Sequence, residues 1–274
     1  MNNLVVEAVV ATPDPPPTGV RNPIHDADGA AAAGYAGRLV AGVRTYGWAA
    51  NAIERALGAD WLTRGWVDFT LRRPLYAGEM LTTTVAPQDG RWQVLCRGGE
   101  DERVVLEGEA GLDSAPWLRE LDPPPLAPGG AAPAEKPTYD LSSVPLRRPL
   151  VPLNVWLKSE TASALVREDL GLDNDRYRDK VPVPVHPYFL AGRIAPLTRH
   201  NFTYGPTIHV RSQIQHAREG SSDRDLTVGA WIVDAYGRKG HCYQVLDGVV
   251  SDLEGELCRI RHHTIFRPRG APTG

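Results

Sequence analysis

The alternation of apolar and polar residues predicts β-strands in both halves of the chain. Within residues 66–71, the apolar side chains of Val67, Phe69 and Leu71 alternate strictly with polar ones, which is the period of a strand with one buried face. Breaks such as Pro74 end this strand. The same criteria predict further strands at residues 5–12, 80–85, 91–96, 104–110, 207–217, 226–234, 241–250 and 257–266.

Helical patterns precede the strands in each half. An Ala/Gly-rich segment predicts one helix over residues 30–57 that ends near Gly58, and shorter helices are predicted at residues 159–169 and 187–199. The sequence of residues 236–240 predicts a hairpin turn between two long strands. Each half is therefore an α+β unit, in which a curled antiparallel sheet buries one face against a helix.

A segment rich in Pro, Gly and Ala, residues 122–137, separates the two halves. Proline cannot donate a hydrogen bond to a strand ladder and disfavours helix interiors. This segment is therefore predicted to be an extended linker between one domain at residues 1–121 and another at residues 138–274.

The composition excludes several classes of protein. The chain has 274 residues, a formal net charge of −3 and scattered basic residues, so it lacks the electrostatic signature of a nucleic-acid-binding protein. Its three cysteines are far apart and are expected to be reduced core residues. The first residues lack a basic start and contain Glu7, and no apolar run is long enough to span a bilayer. We therefore expect a soluble cytoplasmic protein without a signal peptide.

The most informative polar segment is Asn22-Pro23-Ile24-His25, which lies directly ahead of the Ala/Gly-rich helical segment. Backbone N–H groups at the start of a helix lack intrahelical partners and favour a developing negative charge. An imidazole beside them would combine a general acid/base with an oxyanion site. Chemistry alpha to a thioester carbonyl requires this pair.

This segment and two later ones resemble the signature of MaoC-like (R)-specific enoyl-thioester hydratases and dehydratases. The family pattern is G-D-x-N-P-I-H, then a helix start ending in H-G-M, and later F-x-x-P-v-x-x-G-D/E. The corresponding residues here are 19–25, 41–43 and 69–79, with the sequences GVRNPIH, AGV and FTLRRPLYAGE. The resemblance implies a double hotdog fold, in which two curled antiparallel sheets each wrap around a long central helix.

The resemblance also implies roles for individual residues. His25 would be the general acid/base, the N–H of Gly42 would polarise the thioester carbonyl, and Asn22 would help to fix the loop. Asp26 and Asp28 are candidate substrate-binding residues, and they are also suited to capping the first helix. The implied substrate is an enoyl or 3-hydroxyacyl thioester of coenzyme A or an acyl-carrier protein, without a cofactor. A homodimer of such chains is left open.

Two positions depart from the family pattern. Val20 stands where the family has its catalytic Asp, and Ala41 stands where it has a His. In the family, the Asp and the remaining His share the water of the reaction, and loss of one such group typically costs about 10²- to 10⁴-fold in rate.

Three explanations for the missing Asp are open. In the first, another carboxylate substitutes for the Asp. In the second, His25 alone moves the proton in an easier reaction, such as isomerisation, dehydration of an activated substrate or cyclisation. In the third, the chain binds an acyl thioester or a partner hotdog subunit without turnover. The carboxylates considered for the first explanation are those of Glu7, Asp14, Asp26, Asp28 and Asp68.

The second half matches the pattern more loosely. Residues 171–177 align with the loop, so that Tyr177 falls at the position of the family's loop histidine. Pro187, which has no N–H to donate, falls at the position of the oxyanion glycine. We expect a degenerate half that shapes the substrate tunnel, with His186 and Tyr188 as candidate substrate-binding residues.

No metal site is predicted. His262 and His263 are adjacent on a strand and are expected to point to opposite faces. His209 and His216 are seven residues apart, so they are also expected to point to opposite faces, and neither pair converges on a metal ion. The chain also lacks the G-x-S-x-G, Walker and G-x-G-x-x-G sequences, which argues against hydrolase, kinase and dehydrogenase functions.

The leading prediction is a hydratase- or dehydratase-type lyase acting on acyl thioesters. The departures at Val20 and Ala41 favour a specialised biosynthetic dehydratase or cyclase. The alternative is a hotdog protein that binds thioesters, or scaffolds an active partner, without turnover. A thioesterase is disfavoured because residues 30–50 contain no acidic residue, and Glu54 comes only near the end of the helix.

Overall fold

The secondary structure consists of ten strands and six short or medium α-helices in the described part of the chain. The structure is a computed structural model that describes residues 4–13, 22–32, 34–178, 180–203 and 205–270. The strands are β1 (Val5–Val10), β2 (Gly65–Leu71), β3 (Met80–Gln88), β4 (Arg91–Gly98), β5 (Arg103–Leu112), β6 (Leu153–Trp156), β7 (Ile208–His216), β8 (Asp225–Arg238), β9 (His241–Asp252) and β10 (Gly255–Arg267). The helices are α1 (Ala27–Ala32), α2 (Gly42–Leu57), α3 (Trp61–Arg64), α4 (Ser159–Ala164), α5 (Pro187–Ala191) and α6 (Ile194–Asn201).

All ten strands belong to one antiparallel sheet with the order β1-β3-β4-β5-β2-β7-β10-β9-β8-β6. The five strands of the second half repeat the order of the first half, and the two halves meet where β2 pairs with β7. The predicted α+β class is confirmed. The two predicted sheets are continuous with each other instead of separate.

Polar side chains reinforce the pairing of β2 with β7, which we call the β2–β7 junction. On the outer face, Asp68 accepts two hydrogen bonds from Arg211, at 2.8 and 2.6 Å, and one from Gln213 at 3.0 Å. Near the other end of the junction, the side chain of Gln215 accepts a bond from the N–H of Ala115 at 2.9 Å and donates to the carbonyl of Gly65 at 3.1 Å. The register of the two halves is therefore fixed by side chains as well as by the ladder.

Helix α2 is the central helix of the first half, and most of its residues are buried. It ends at Gly58, whose positive φ of 83° suits glycine, as the sequence predicts. The prediction of one helix over residues 30–57 is wrong at its beginning. Helix α1 ends before Gly34, which has a φ of 81°, and the chain then runs extended, with Val40 N–H donating to the carbonyl of Leu75 at 2.9 Å. This extended segment brings the chain back to the start of α2.

The second half differs from the predicted elements in two places. The helix predicted at residues 187–199 is divided into α5 and α6, which are separated by Gly192 and Arg193. Strand β6 was not predicted, because it has only four residues and follows a proline-containing segment that carries no strand signal. The helix predicted at residues 159–169 is confirmed as α4 followed by a π-helical turn at Leu165–Asp169.

The proline-rich segment at residues 122–137 contains no helix or strand. It lies against the second half, where Gly130 N–H donates to the carbonyl of Pro152 at 3.0 Å and His200 Nε2 bonds to the carbonyl of Gly130 at 3.0 Å. Its role as a linker between two domains stays a prediction. Among the described helices, none has the length and apolar character needed to cross a membrane.

We predict that Gln215→Leu destabilises the protein by about 2–3 kcal/mol, because the buried backbone groups of Ala115 and Gly65 lose their partner. Urea unfolding followed by circular dichroism measures the change in the free energy of unfolding. Gln93→Leu, at an exposed position of β4, is the matched control and should change stability little. Equal effects of the two substitutions would contradict the role given to Gln215.

Candidate active site

Residues of both halves line a cavity of about 440 Å³. The first half contributes the turn Pro23–His25, the segment before α2, the first turn of α2 and the segment after β2. The second half contributes α5, α6 and the neighbouring parts of β7 and β10. Three of the predicted site residues, Asn22, His25 and Gly42, line this same cavity. The structure therefore brings the predicted catalytic group together in one place.

The imidazole of His25 is held in a defined orientation. The neighbouring Ile24 is buried, and His25 Nδ1 lies 2.9 Å from the carbonyl oxygen of Leu39. A carbonyl oxygen only accepts, so Nδ1 must carry the proton of the neutral ring, and the lone pair is on Nε2. This tautomer suits a general base.

The start of α2 forms part of the cavity wall. Gly42 is the first residue of the helix, and the preceding residue, Ala41, provides no side-chain cap for its N–H groups. A Cβ atom on Gly42 would lie 2.3 Å from Leu71 Cδ1 and 3.3 Å from His209 Cβ. A larger residue would crowd Leu71 and His209, and the N–H of Gly42 lies at the positive end of the helix dipole.

Asn22 connects the histidine loop to the second half. Its Nδ2 donates to the carbonyl of Thr207 at 2.6 Å. Its Oδ1 is buried and has no hydrogen-bond partner among the described residues. The predicted positioning role of Asn22 is consistent with this cross-half bond.

No carboxylate lines the cavity in the described part of the chain. Asp26 and Asp28 are exposed and are not part of its wall. Glu7 accepts hydrogen bonds from Asn51 and Arg55. None of these three residues is therefore in position to replace the missing Asp.

Of the two remaining candidates for that role, one does not line the cavity and the other lies outside the described residues. Asp68 lies on the outer face of the sheet with Arg211, as described above. Val20 and Asp14 lie outside the described residues. The structure therefore gives no carboxylate substitute among the residues it describes.

Two further histidines, which the sequence did not predict, line the cavity. His209 Nε2 lies 2.8 Å from Ser212 Oγ, and the same oxygen lies 3.0 Å from His262 Nδ1. The centroids of the two imidazole rings are 4.3 Å apart. The three side chains form a connected group, the His209–Ser212–His262 cluster, on the inner face of the sheet.

A β-bulge explains why the sequence pattern missed this cluster. Strict alternation along β7 would put Val210 on the face of Ser212 and His209 on the opposite face. The register of β7 against β10 shifts between His263 and Thr264, so that His209 pairs with Thr264.

Because of the same bulge, His209 and His216 lie on the same face of the sheet, whereas the sequence predicts opposite faces. Both lie on the inner face, but their separation along β7 is on the order of 20 Å, so they do not converge. In the described part of the chain no group of three or more His, Cys, Asp and Glu residues could hold a metal ion.

Burial keeps the cluster histidines neutral. Desolvation lowers the pKa of His209 to about 3, and it lowers the pKa of His262 well below the ordinary value, with neighbouring His209 as a second cause. Both rings are therefore uncharged at neutral pH.

The corresponding position of the second half is filled by side chains. Tyr177, in the 3₁₀ turn Asp175–Tyr177, is buried and donates a hydrogen bond to Glu54 Oε2 at 2.8 Å. The cavity beside Tyr177 has a volume of only about 10 Å³. Pro187 begins α5 as Gly42 begins α2, without an N–H to offer.

The structure does not bring His186 or Tyr188 into the wall of the 440 Å³ cavity. His186 is buried, and its Nδ1 caps α5 by accepting from Tyr188 N–H at 3.2 Å. Its ring packs against Tyr177, with the ring centroids 4.9 Å apart. Both residues therefore take part in helix capping and packing in the second half.

Comparisons with known proteins identify the fold. No family model and no curated protein matches the chain, but solved structures match over most of its length. A protein from Chloroflexus aurantiacus J-10-fl, assigned as a MaoC-domain dehydratase, has a TM-score of 0.66 at 10% identity, over 98% of this chain and 96% of that chain. A conserved hypothetical protein from Mycobacterium tuberculosis with a double hotdog fold has a TM-score of 0.61 at 15% identity, over 89% and 87% of the two chains. The fold is a double hotdog.

The same fold occurs in a protein from Novosphingobium aromaticivorans that is assigned as a thioesterase. Its TM-score is 0.55 at 14% identity, and the match covers 96% of each chain. At these identities the likeness extends to the fold alone. The predicted fold is thus confirmed, and the activity has to be argued from the site.

We predict that this double hotdog loses stability as the pH falls from about 6.5 towards 4, because buried histidines of the second half stay neutral. Desolvation lowers the pKa of His186 to about 3 and that of His216 to about 4, as it does for the two cluster histidines. The unfolded chain binds protons at these rings below about pH 6.5, so each ring adds a slope of about 1.4 kcal/mol per pH unit to the free energy of unfolding.

Urea unfolding at several pH values measures this slope. In His216→Gln the slope should decrease by the contribution of one proton, whereas in the Gln93→Leu control, which removes no titratable group, it should not change. A free energy of unfolding that is constant over this pH range would contradict the burial of neutral imidazoles.

Proposed function

We propose that the protein is a hydratase or dehydratase that acts on enoyl or 3-hydroxyacyl thioesters of coenzyme A or an acyl-carrier protein. The observation that carries the proposal is the common cavity of His25 and Gly42. It combines an oriented imidazole with the uncapped start of a helix, and these are the two groups that proton transfer at the α-carbon needs. Solved proteins of the same fold that are assigned as MaoC dehydratases support the reaction class.

The geometry suggests the following course for dehydration. The thioester carbonyl oxygen accepts a hydrogen bond from Gly42 N–H, which stabilises the negative charge that develops on this oxygen. His25 Nε2 takes the proton from the α-carbon, the C–H electron pair forms the double bond, and the C3–O bond breaks. The leaving oxygen receives the proton that His25 has taken, and water is released. Hydration is the reverse sequence, so one imidazole can serve both steps.

A positive entrance favours carriers that contain phosphate. Arg72, Arg73 and Arg199 line the cavity, and no acidic residue does so within the described ranges. Arg72 forms an ion pair with Glu107 on the sheet, whereas Arg73 is exposed. Guanidinium groups suit the phosphates of coenzyme A and of a carrier-protein arm.

A thioesterase is the second candidate, because a protein assigned to that activity has the same fold. Hydrolysis by a hotdog protein is expected to need a carboxylate as nucleophile or base. Glu54, the late acidic residue of α2, is buried against Tyr177 instead of lining the cavity. The described cavity residues therefore favour the lyase.

We predict that His25→Ala lowers kcat/KM for hydration of crotonyl-CoA by about 10²- to 10⁴-fold, because the acid/base is removed. The loss of enoyl absorbance measures hydration, and a thiol reagent measures release of free coenzyme A. His241→Ala, at the hairpin between β8 and β9 and outside the cavity wall, is the control and should retain activity. Unchanged hydration in His25→Ala would exclude the proposed role, and His25-dependent thiol release would identify a thioesterase. Saturable binding without any turnover would favour the non-catalytic alternative.

We also predict that Arg73→Glu raises KM for an acyl-CoA by about five- to tenfold at low salt and leaves kcat nearly unchanged, because it reverses a charge at the entrance. Steady-state kinetics at two salt concentrations measure the effect, which should shrink at the higher one. Arg238→Glu at the exposed hairpin is the charge-matched control. If both variants behave alike, the entrance does not bind the phosphates.

A further inference from the structure

The cavity contains a second polar region besides His25 and Gly42. It is formed by the His209–Ser212–His262 cluster on β7 and β10 and by Thr264, which lies two residues beyond His262 on the same face. His209 Nδ1 lies 3.4 Å from the point where a Cβ atom of Gly42 would stand, so the cluster adjoins the proposed carbonyl site. The hydroxyl Oγ1 of Thr264 is buried and has no hydrogen-bond partner among the described residues.

An unpartnered buried hydroxyl beside an imidazole indicates that a polar atom is bound there in use. Buried polar groups without partners are costly, and a water molecule or a ligand oxygen would satisfy Thr264. The proposed reaction moves one such oxygen, the one added to or removed from C3. In the described part of the chain no carboxylate lines the cavity to hold it.

We infer that His262, supported by Ser212 and His209 and flanked by Thr264, binds the oxygen atom that is added to or removed from C3 of the acyl chain. This inference rests on the proposed function and names the residues that take over the binding role of the missing carboxylate. His262 Nδ1 is bonded to Ser212, and so Nε2 is the ring atom that meets the ligand.

Ser212 allows two arrangements of the hydrogen bonds in the cluster. Its single hydroxyl proton is donated to one of the two rings, and the other ring must then donate its own N–H to Ser212 Oγ. In one arrangement His262 Nε2 carries a lone pair and accepts from a hydroxyl group. In the other arrangement it carries a proton and donates to an oxygen.

Both arrangements leave the buried cluster without net charge. The cluster can therefore either accept a hydrogen bond from the hydroxyl of a bound substrate or donate one to its oxygen atom. The covalent proton balance is unchanged. His25 takes the α-proton and transfers it to the leaving oxygen, and the cluster provides hydrogen bonds only.

Binding measurements test the inference most sharply, since two ligands with the same carbon skeleton differ by one water molecule and therefore in the C3 oxygen. 3-Hydroxybutyryl-CoA has the C3 oxygen, and crotonyl-CoA has the same carbon skeleton without it. Both dissociation constants are measured by calorimetry in the His25→Ala background, in which turnover is suppressed. We expect His262→Ala to weaken 3-hydroxybutyryl-CoA by about tenfold or more and crotonyl-CoA by less than about twofold, because only the former loses a hydrogen bond.

Two further variants separate this role from a structural one. Ser212→Ala removes only the bridging oxygen, and we expect a smaller loss with the same selectivity for the hydroxyl ligand. His263→Ala, the next residue on β10, alters the opposite face beside Arg211 and Arg261 and should change neither constant. In the background with His25 intact, His262→Ala should lower hydration of crotonyl-CoA by about 10²-fold.

The outcomes distinguish this inference from the proposed function. Equal weakening of both ligands, or no weakening of either, would overturn the inference while His25-dependent turnover continued to support the lyase. If the intact protein hydrates no enoyl thioester, the proposed function fails and the inference fails with it.

Discussion

The pairing of β2 with β7 is the constraint on which the site depends. It joins the two halves of the double hotdog into one sheet, with Asp68, Arg211 and Gln213 bonded across the outer face. On the inner face it brings β7 and β10 of the second half next to the histidine loop and α2 of the first half. A cavity with residues of both halves exists because of this single strand pair. The second half is therefore part of the site even though it lacks the sequence pattern of the first half.

The two halves have the same strand order, but the space beside the helix start is open in the first half and filled in the second. In the first half, a small residue at the start of α2 and an imidazole held by a carbonyl leave open space in front of them. In the second half, Tyr177 fills that space and bonds to Glu54, a residue of the first half's central helix. Burial raises the pKa of Glu54, and the hydrogen bond from Tyr177 acts in the opposite direction. The filled position thus contributes to the contact between the halves.

The sequence predicts the regular elements well and the irregular ones poorly. Strands with clear alternation and the end of α2 at Gly58 follow from local patterns, whereas the co-location of Asn22, His25 and Gly42 was expected from the family resemblance. The extended segment before α2 was missed because its alanines and glycines resemble a helix, and it is extended because Val40 pairs with Leu75. Propensity is a weak guide where tertiary pairing competes with it.

The His209–Ser212–His262 cluster shows the same limit at the level of the site. Two histidine pairs on β7 and β10 were visible in the sequence, but period-two alternation assigned His209 to the wrong face. One bulge reverses that assignment for His209, and neither the bulge nor the strand pairing can be inferred from local sequence. His186 and Tyr188 do not line the cavity, because the helix start that they form in the degenerate half takes part in packing and capping.

The central claim is that an acyl thioester binds with its carbonyl oxygen at the start of α2, next to His25. Raman difference spectroscopy of crotonyl-CoA labelled with ¹³C at the carbonyl carbon tests this claim directly, in the His25→Ala variant so that the ligand persists. Hydrogen bonding from Gly42 N–H and the helix dipole should polarise the carbonyl and lower its stretching frequency relative to free crotonyl-CoA. A bound ligand with the frequency of the free thioester would contradict the account.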